Sequence, residues 1–573
     1  MGQVKVRAMR RSGARGGAAA GIVAAVPSPR ARSPRAPRCV YHRAKPAVGL
    51  VVENSTVNAL KQAASWPHPV ASVRLIETHI SWVFLTGDYA YKVKKPVDYG
   101  FLDFSTLERR RFYCEEEVRL NRRLAPQIYL DVVPIAGTAA APRVAGSGEA
   151  FDYAVRMRQF DDAAGFDRLL AAGELGVEHM DAAAAVLAAF HDRAAVADEA
   201  SGQGSAAAVT APVRENFDQI RPRLDAQLDD PGTRELFAEL ERWSRAGCER
   251  HGAAFGRRLS GGFVRECHGD LHLRNIVVWR GEVIPFDCIE FSDALRWIDT
   301  CSELAFLLMD LDDHDRRDLA RRLLDAYLQR SGDYGGLELL DFYRAYRAMV
   351  RAKVASLRLA QLGNDDPELA AEMSRYLELA RRYSRPRRSA LLVTHGVSGS
   401  GKTFVSQRLL EGRDLIRLRS DVERKRLAGL AATDSSGSGQ GTGLYAADMT
   451  ARTYRRLLEL AEALTGWGFA VIVDAAFLAG AQRDLFRRFA DARGLPFAIV
   501  HCAADDHVQR RRVRARSAGG KDASEADVAI LDRQLRTAEP LRPAELARTI
   551  AVDTTAEPNV AEVLAFLDAA ECA

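Results

Sequence analysis

Residues 396–403, GVSGSGKT, constrain the fold of this chain more than any other segment. They match the pattern GxxxxGK[ST], in which glycines allow backbone N–H groups to turn towards phosphate oxygens. The apolar run ALLVTHG precedes the match and FVSQRLLEG follows it, so the loop joins a strand to a helix. Later apolar runs, FAVIVDA, PFAIVHC and RTIAVDT, alternate with helical stretches. This pattern predicts an α/β domain with a parallel sheet and a phosphate-binding loop.

Each residue of the loop is expected to contribute to ATP binding. The set is Gly396, Val397, Ser398, Gly399, Ser400, Gly401, Lys402 and Thr403. The backbone amides and the N-terminus of the following helix attract phosphate, and Lys402 reaches the β- and γ-phosphates. Thr403 offers a hydroxyl to magnesium, and Asp474, at the end of VIVD, is a second candidate for holding the metal. A strand-end Asp that only caps a turn is the alternative.

Two further groups of polar residues surround this loop in the sequence. In RLRSDVERKR, Asp421 is predicted to orient an attacking hydroxyl and Arg424 to hold the acceptor. An exposed ion pair on a helix is the alternative. Arg512 and Arg516 lie one helical turn apart before a glycine-containing loop, and they are candidates to close over the triphosphate. A solvated basic helix face would have the same pattern.

The segment 263–291, FVRECHGDLHLRNIVVWRGEVIPFDCIEF, contains a second constellation. Kinase-type chemistry needs a carboxylate that orients the acceptor hydroxyl, an amide that binds magnesium, and a second carboxylate that holds the metal against the phosphates. Asp270, Asn275 and Asp287 fill these roles in that order. Ordinary turn residues between strands are the alternative, because Asp and Asn favour turns.

HGDLHLRN followed by FDCIE closely resembles the aminoglycoside phosphotransferase and choline kinase-like branch of the protein-kinase fold. The resemblance covers about residues 70–360 and implies a strand lysine for the phosphates and a helix glutamate that pairs with it. In AYKVKK, Lys92 and Lys94 project from one face of a strand, and Lys92 is preferred. Glu117 is preferred over Glu116 on the following helix. Asp299 resembles a later acidic position that supports the catalytic loop, with a helix N-cap as the alternative.

The C-terminal part resembles small P-loop kinases that include gluconate kinase, zeta toxins and polynucleotide kinase. This resemblance depends on the phosphate loop, the D-x-x-R, the VIVDA strand and the arginine-rich segment, and it covers about residues 390–555. The whole chain resembles bacterial proteins described as bifunctional aminoglycoside phosphotransferase/ATP-binding proteins. No G-x-G-x-x-G precedes the lysine strand, which leaves the cover over the phosphates in the first half undefined.

A chain of 573 residues exceeds the ~250–300 residues at which single cores stop growing. The predicted fold class is an α+β bilobal protein-kinase-like fold followed by an α/β P-loop NTPase fold with a parallel sheet. From Ser72, a β-β-α-β-β order predicts the small lobe, and helical periodicity at 162–260 and 293–384 predicts the large lobe. The predicted divisions are a basic disordered tail at 1–48, the kinase-like domain at 49–385, and the P-loop domain at 386–573.

Charge and cysteine usage limit the partners. Residues 1–50 hold eleven Lys and Arg and no Asp or Glu, so the formal net charge of +5 leaves −6 for the rest. The balance therefore argues against nucleic acid as a partner of the folded part. Eight scattered cysteines without a C-x-x-C pair indicate free thiols in a cytoplasmic protein, and no run reaches the ~18–20 apolar residues of a membrane span. Residues 1–46 are predicted to be a disordered tail or the result of an early start codon, with a targeting peptide as the alternative.

The expected function is ATP- and Mg²⁺-dependent transfer of the γ-phosphate to an unidentified small-molecule hydroxyl, with two nucleotide sites. In the competing interpretation, the P-loop half is an ATP-binding switch or ATPase that controls the first half. Asp421 discriminates the two, because a switch has no acceptor to position. A third interpretation is a nucleic-acid-associated kinase that uses the basic tail. Oligomeric state is not predicted.

Overall fold

The computed structural model describes residues 50–100, 102–227, 231–361, 366–432, 434, 444, 446–519 and 524–572. The basic tail predicted at 1–48 lies outside the described residues. No described helix is both long enough and apolar enough to cross a bilayer.

The first lobe is a six-stranded antiparallel sheet with the order β1-β2-β3-β6-β4-β5. The elements up to its end are α1 (Leu50–Leu60), β1 (Arg74–Glu77), β2 (Ser81–Leu85), β3 (Tyr89–Lys94), α2 (Leu107–Asn121), β4 (Tyr129–Thr138), β5 (Ala141–Val144) and β6 (Ala150–Arg158). A hairpin at Gly87 joins β2 to β3, since Leu85 pairs with Ala90 across it and Gly87 has a φ of 103°. Helix α2 begins after Thr106, whose side chain accepts from the Arg109 N–H, and packs on the sheet.

Two edge strands were absent from the predicted β-β-α-β-β order. The run VRLIETHISWVFLTG forms two strands rather than one, because the Ser81 N–H donates to the Thr78 hydroxyl and turns the chain between them. The second missed strand, β5, is four residues long and contains Pro142, which weakens its strand pattern. Both strands lie at the edges of the sheet, where few neighbours constrain the sequence.

The second lobe is mostly helical, as predicted. Its elements are α3 (Phe166–Ala171), α4 (Val177–Arg193), α5 (Ala206–Gln227), α6 (Pro231–Arg250), α7 (Gly252–Ser260), β7 (Val264–Glu266), β8 (Ile276–Trp279), β9 (Glu282–Pro285), α8 (Asp293–Arg296), β10 (Trp297–Asp299), α9 (Thr300–Asp313), α10 (Arg317–Ser331), α11 (Leu340–Gln361) and α12 (Pro367–Ser384). Helix α9 is buried from Thr300 to Asp312 and forms the centre of the lobe. The hairpin β8–β9 and the pair β7–β10 lie within the sequence of this lobe and contain most of the segment 263–291.

The C-terminal part is an α/β unit around a five-stranded parallel sheet with the order β12-β13-β11-β14-β15. Its elements are β11 (Leu391–His395), α13 (Lys402–Gly412), β12 (Leu415–Arg419), α14 (Ser420–Leu427), α15 (Ala447–Gly466), β13 (Ala470–Asp474), α16 (Gly480–Arg493), β14 (Phe497–Ala503), α17 (Asp506–Gly519), α18 (Val528–Thr537), α19 (Pro543–Leu546), β15 (Thr549–Asp553) and α20 (Ala561–Cys572). The predicted strands are thereby confirmed, and the strand before the phosphate loop is central. The predicted fold class is also confirmed.

The two halves meet along helix α10. Arg417 on β12 makes a buried ion pair with Asp325 on α10, at 2.5 Å between Nη2 and Oδ2. Arg321 on α10 pairs with Asp414, which follows α13, at 2.5 Å. One apolar cluster contains buried residues of both halves, including Leu340 and Leu418. Helix α10 is therefore part of the surroundings of the phosphate loop.

Candidate functional site

The loop after β7 carries the first candidate site. His268 is fully buried, its Nε2 donates to the Phe286 carbonyl at 2.7 Å, and its Nδ1 accepts the Asp270 N–H at 3.3 Å. A carbonyl can only accept, so Nε2 carries a proton. Gly269 has a φ of 89°, and a Cβ there would lie 2.8 Å from the Leu295 carbonyl oxygen. Only glycine fits this turn, which directs Asp270 towards the cleft.

Glu303, on α9, anchors this loop and was missed from the sequence. Its carboxylate accepts the N–H groups of His268 at 2.8 Å and Gly269 at 2.7 Å, and His191 approaches it at 3.4 Å. Desolvation alone would raise the pKa of Glu303, but His191 and the Gly269 N–H outweigh it and lower the pKa to about 2. The signal that would have found it is a carboxylate inside the apolar run ELAFLLMD. A buried charge in such a run needs donors.

Replacing Glu303 by Gln is expected to destabilise the protein by about 2 kcal/mol, because the amide keeps an acceptor oxygen for one backbone N–H and turns its NH2 group towards the other. Urea unfolding followed by circular dichroism measures the change. The matched control is Glu178→Gln, whose side chain is 70% exposed and which should stay within about 0.5 kcal/mol of the parent. Equal stability of both variants would contradict the anchoring role of Glu303.

The family resemblance implied that Asp299 supports the catalytic loop, but the Asp299 side chain makes other contacts. Its Oδ1 accepts the Cys301 N–H at 2.8 Å as the N-cap of α9, and its two oxygens pair with Arg258. The N-cap alternative is thus observed, and the loop after β7 is held by Glu303 and by Asp310, which accepts the Leu273 N–H at 2.9 Å.

Asp270 and Asn275 lie in direct contact. The Asn275 amide donates to the Asp270 carbonyl at 2.9 Å and to its Oδ2 at 3.2 Å, and His272 Nε2 lies 3.4 Å from the same carboxylate. Desolvation opposes ionisation, but His272 and other cationic groups hold the pKa of Asp270 well below its ordinary value. The carboxylate is therefore ionised at neutral pH, and with 38% of the side chain exposed it can accept a bond from a bound hydroxyl.

Lys92, Glu117 and Asp287 meet although they are far apart in sequence. Lys92 Nζ lies 2.6 Å from Asp287 Oδ1 and 2.9 Å from Glu117 Oε1. Burial favours the neutral amine, yet Asp287 and Glu117 outweigh it and keep the pKa of Lys92 well above its ordinary value. Asp287 has a φ of 64°, which is a strained backbone conformation for a non-glycine residue and is typical of functional sites. The two ion pairs of Lys92 thus bring three predicted site residues together.

The alternatives left open by the sequence occupy neighbouring positions. Lys94 Nζ lies 2.7 Å from Glu117 Oε2 and also contacts Glu290, inside the lobe rather than at the cleft. Glu116 pairs instead with Arg119 at 2.8 Å. Glu117 therefore bridges two lysines, and Lys92 is the one that also reaches Asp287.

A cavity of about 460 Å³ opens beside these residues, between the sheet and the helical lobe. Its walls combine Lys92 and Asp287 with apolar side chains, among them Val83, Leu85, Ala90, Met157 and Phe286. A cavity of this size that combines apolar walls with charged groups can hold a small molecule. Thr78 and Ile80, from the turn between β1 and β2, also line it. Although no glycine-rich motif precedes the lysine strand, this turn lies beside the cavity.

The second candidate site is the phosphate loop between β11 and α13. Gly399 and Gly401 have φ values of 78° and 85°, and Cβ atoms there would lie within 3 Å of Gln509 and Thr554. Lys402 Nζ donates to the Val397 carbonyl at 2.8 Å. Desolvation lowers the pKa of Lys402, although the nearby carboxylates of Asp474 and Asp421 oppose the shift. Within the described residues, the buried Ser400 hydroxyl has no hydrogen-bond partner, as expected of a group that a phosphate would satisfy.

Thr403 and Asp474 are joined through one side chain. The Ser406 hydroxyl lies 3.0 Å from the Thr403 carbonyl and 3.3 Å from Asp474 Oδ2. Asp474 is buried at the end of β13, and Arg419 lies 3.9 Å from it. A strand-end carboxylate beside the first turn of α13 can hold the water shell of magnesium.

The remaining predicted residues of this half have distinct surroundings. Asp421 lies in the first turn of α14, and Arg424 Nη1 donates to the Leu444 carbonyl at 3.0 Å and to the Thr450 hydroxyl at 3.1 Å. Arg512 donates to the Gly399 carbonyl at 3.3 Å and to the Thr554 carbonyl at 2.6 Å. Arg512 thereby ties α17 to the phosphate loop and the end of β15.

Gln534, on α18, was not predicted and also contacts the phosphate loop. Its Oε1 accepts the Ser398 N–H at 2.7 Å. Val397, Val513 and Leu531 form a small apolar cluster under the same helix. A lone Gln on an amphipathic helix carries no signal of this contact, since the pairing spans 136 residues.

Comparison with known proteins covers both halves. The AAA domain family model matches residues 391–541. The chain is 34% identical over 472 residues to the uncharacterized protein Rv2004c of Mycobacterium tuberculosis, covering 82% of this chain and 92% of that protein. The AAA domain match and the bilobal fold confirm the predicted resemblance in the C-terminal and N-terminal parts.

Two solved structures illustrate the likeness of each half. A gluconokinase from Sinorhizobium meliloti 1021 is 23% identical, covering 32% of this chain and 93% of that chain, with a TM-score of 0.22. A choline/ethanolamine kinase family protein from Mesorhizobium loti is 12% identical, covering 58% of this chain and 100% of that chain, with a TM-score of 0.32.

Proposed function

Because the chain belongs to the same family as the mycobacterial protein Rv2004c, we propose one activity for this architecture, the ATP- and Mg²⁺-dependent transfer of the γ-phosphate to a small-molecule hydroxyl. The observation that carries the proposal is the contact of Lys92 with Asp287 and Glu117, beside the paired Asp270 and Asn275. Kinase chemistry depends mainly on positioning and charge neutralisation, which such a set supplies.

In the first half, Lys92 binds the α- and β-phosphates and Glu117 orients Lys92. Asn275 and Asp287 hold magnesium, since amide and carboxylate oxygens are its preferred protein ligands. Asp270 accepts a hydrogen bond from the acceptor hydroxyl and receives its proton as the hydroxyl oxygen attacks the γ-phosphorus. The bond between the γ-phosphorus and the β,γ-bridging oxygen breaks, and ADP leaves with the electron pair. The Phe286 N–H donates to the Asn275 carbonyl at 2.9 Å. This hydrogen bond connects Asn275 to the residue before Asp287 and so helps to position both proposed magnesium ligands.

In the second half, the amides of residues 396–403 and the Lys402 ammonium bind the phosphates of a second ATP. Thr403 and Asp474 hold magnesium, Arg516 neutralises the charge that develops on the transferred group, and Arg512 fixes the loop. Asp421 orients the acceptor hydroxyl of this half, and Arg424 supports the acceptor-binding segment. Both halves are proposed to use a small-molecule acceptor rather than nucleic acid.

Phosphate transfer from labelled ATP to a panel of sugars, aminoglycosides, amino alcohols and nucleosides tests the proposal. We expect at least one acceptor to stimulate ATP consumption, and removal of magnesium with EDTA to reduce the transfer at least 100-fold, because the metal neutralises the phosphates in the transition state. Addition of excess Mg²⁺ should restore the rate. ATP consumption that no acceptor stimulates would contradict the proposal.

The alternative is that the P-loop half is an ATP-dependent switch or ATPase that controls the first half. The Arg417–Asp325 pair favours it, because Arg417 also lies 3.5 Å from the Thr403 carbonyl and so joins the phosphate-loop helix to α10. Replacing Asp421 by Asn separates the two functions. A kinase loses transfer in this half, whereas a switch keeps its control of the first half.

A cytoplasmic location completes the proposal. Six cysteines, Cys114, Cys248, Cys267, Cys288, Cys301 and Cys502, are buried free thiols. Free thiols and a requirement for ATP both suit a reducing compartment.

A further inference from the structure

A cavity of about 990 Å³ lies between the two halves, next to the phosphate loop. The P-loop half contributes Thr403, the residue proposed to bind magnesium, together with Phe404 and Gln407 of the same helix. Helix α10 of the kinase-like half forms the other wall. The cavity next to Thr403 is therefore bounded on one side by α10, which belongs to the kinase-like half.

The lining of this cavity is strongly positive. Arginine occurs six times among the lining residues and aspartate twice, while glutamate and lysine are absent from the described lining. The arginines are Arg322, Arg330, Arg417, Arg419, Arg426 and Arg516. Both aspartates are already neutralised, because Asp181 pairs with Arg322 and Asp325 pairs with Arg417, each at 2.5 Å. Of the other arginines, Arg426 pairs with Glu423 and Arg419 lies 3.9 Å from Asp474. Within the described part of the chain, Arg330 and Arg516 have no carboxylate partner, so solvent ions or a ligand must balance their charge.

Two buried polar atoms of cavity-lining residues lack a hydrogen-bond partner among the described residues. Gln329 is 8% exposed, its Nε2 donates to the Arg417 carbonyl at 3.1 Å, and its Oε1 has no hydrogen-bond partner among the described residues. The same is true of Arg516 Nε within that part of the chain. The hydrogen bond described for Arg330 goes to the Ala326 carbonyl of its own helix, at 3.0 Å. Buried polar atoms without partners indicate a place for a polar ligand.

We propose that this cavity is the acceptor site of the P-loop half, that α10 completes it, and that the acceptor is an anionic hydroxyl compound. Arg330 holds the anionic group, which is a phosphate monoester or a carboxylate. The hydroxyl of the acceptor lies at the end of the cavity formed by Thr403 and Val422, the residue after Asp421. The inference rests on the proposed transfer activity of this half. Arg419 and Arg516, near Thr403 and Asp474, serve the nucleotide phosphates, which leaves the α10 wall for the acceptor.

The test compares three small probes that share a three-carbon skeleton, namely glycerol 3-phosphate, glycerate and glycerol. Binding to the full-length protein is measured by calorimetry with magnesium and a non-hydrolysable ATP analogue present. We expect at least one of the two anions to bind and neutral glycerol to bind at least 10-fold more weakly. The preferred anion distinguishes a phosphate site from a carboxylate site.

Arg330→Ala should weaken binding of the preferred anion about 10-fold and leave binding of the ATP analogue within about twofold, because one charge-assisted contact is lost. The control is Arg358→Ala, an exposed arginine on α11 that does not line the cavity, which should change neither affinity. Arg330 is exposed on α10, so its loss should not unfold the protein.

The outcomes separate this inference from the proposed function. Equal anion binding by the Arg330→Ala and Arg358→Ala variants overturns the site, and so does the absence of binding by both anions or equal binding of glycerol. Anion binding that depends on Arg330 without any transfer keeps the site and removes the kinase proposal for this half. Transfer that is independent of Arg330 keeps the kinase and overturns the site.

Discussion

Replacing Asp270 by Asn is expected to slow phosphate transfer at the kinase-like site by about 10²- to 10⁴-fold, which is the usual contribution of a positioned base. Asn keeps the shape of the side chain and one acceptor oxygen, but it cannot take the proton of the acceptor hydroxyl. The low pKa of Asp270 means that the parent carboxylate is ionised throughout the neutral range. ATP affinity should remain within about threefold, because Lys92, Glu117 and Asp287 are unchanged.

The rate is measured in a chain that also carries Lys402→Ala, so that only the first half contributes to transfer. Asp218→Asn, at an exposed position of α5, is the matched control and should retain the parent rate. Transfer that persists at the parent rate in Asp270→Asn would show that another group accepts the proton. A parallel loss of ATP affinity would instead indicate that the catalytic loop has moved.

Local patterns predicted most of the site residues because both motifs fix backbone geometry within a few residues. The spacing of Asp270 and Asn275 suffices for their contact, since the intervening turn is short. The strand pattern also placed Lys92 and Lys94 on one face, which is how they lie, with Glu117 between them. The pattern could not choose between them, because the choice depends on Asp287, which lies 195 residues away from Lys92.

The residues that sequence reasoning missed act through long-range contacts. Glu303 holds backbone amides 34 and 35 residues away, and Gln534 reaches the phosphate loop across 136 residues. Neither contact produces a periodicity or a turn signature in its own segment. The α10 wall is a similar case, since its apolar positions predicted an ordinary packed helix. Only the folded arrangement shows that Arg322 and Arg330 project into the cavity beside the P-loop half.

Replacing Lys402 by Ala is expected to lower turnover in the P-loop half by about 10²- to 10³-fold, the effect of removing one preorganised charge from a phosphate site. The protein should stay folded. Lys402 is desolvated, and its described hydrogen bond goes to the Val397 carbonyl rather than to a carboxylate. Its removal therefore leaves no buried partner charge behind. Lys402→Arg is the informative companion, because it keeps the charge but changes the geometry, and it should rescue little activity.

The same variant decides between two kinases and a kinase controlled by a switch. Transfer is measured with Asp270 intact, in Lys402→Ala and in the parent, with an acceptor that depends on Asp270. If the halves act independently, Lys402→Ala leaves this rate unchanged and removes only transfer that survives Asp270→Asn. If the P-loop half is a switch, Lys402→Ala alters the Asp270-dependent rate, and disrupting the Arg417–Asp325 pair with Asp325→Asn alters it in the same direction. That pair joins α10 to β12, and Arg417 also reaches the Thr403 carbonyl of the phosphate-loop helix, so we expect control by ATP to pass through its surroundings.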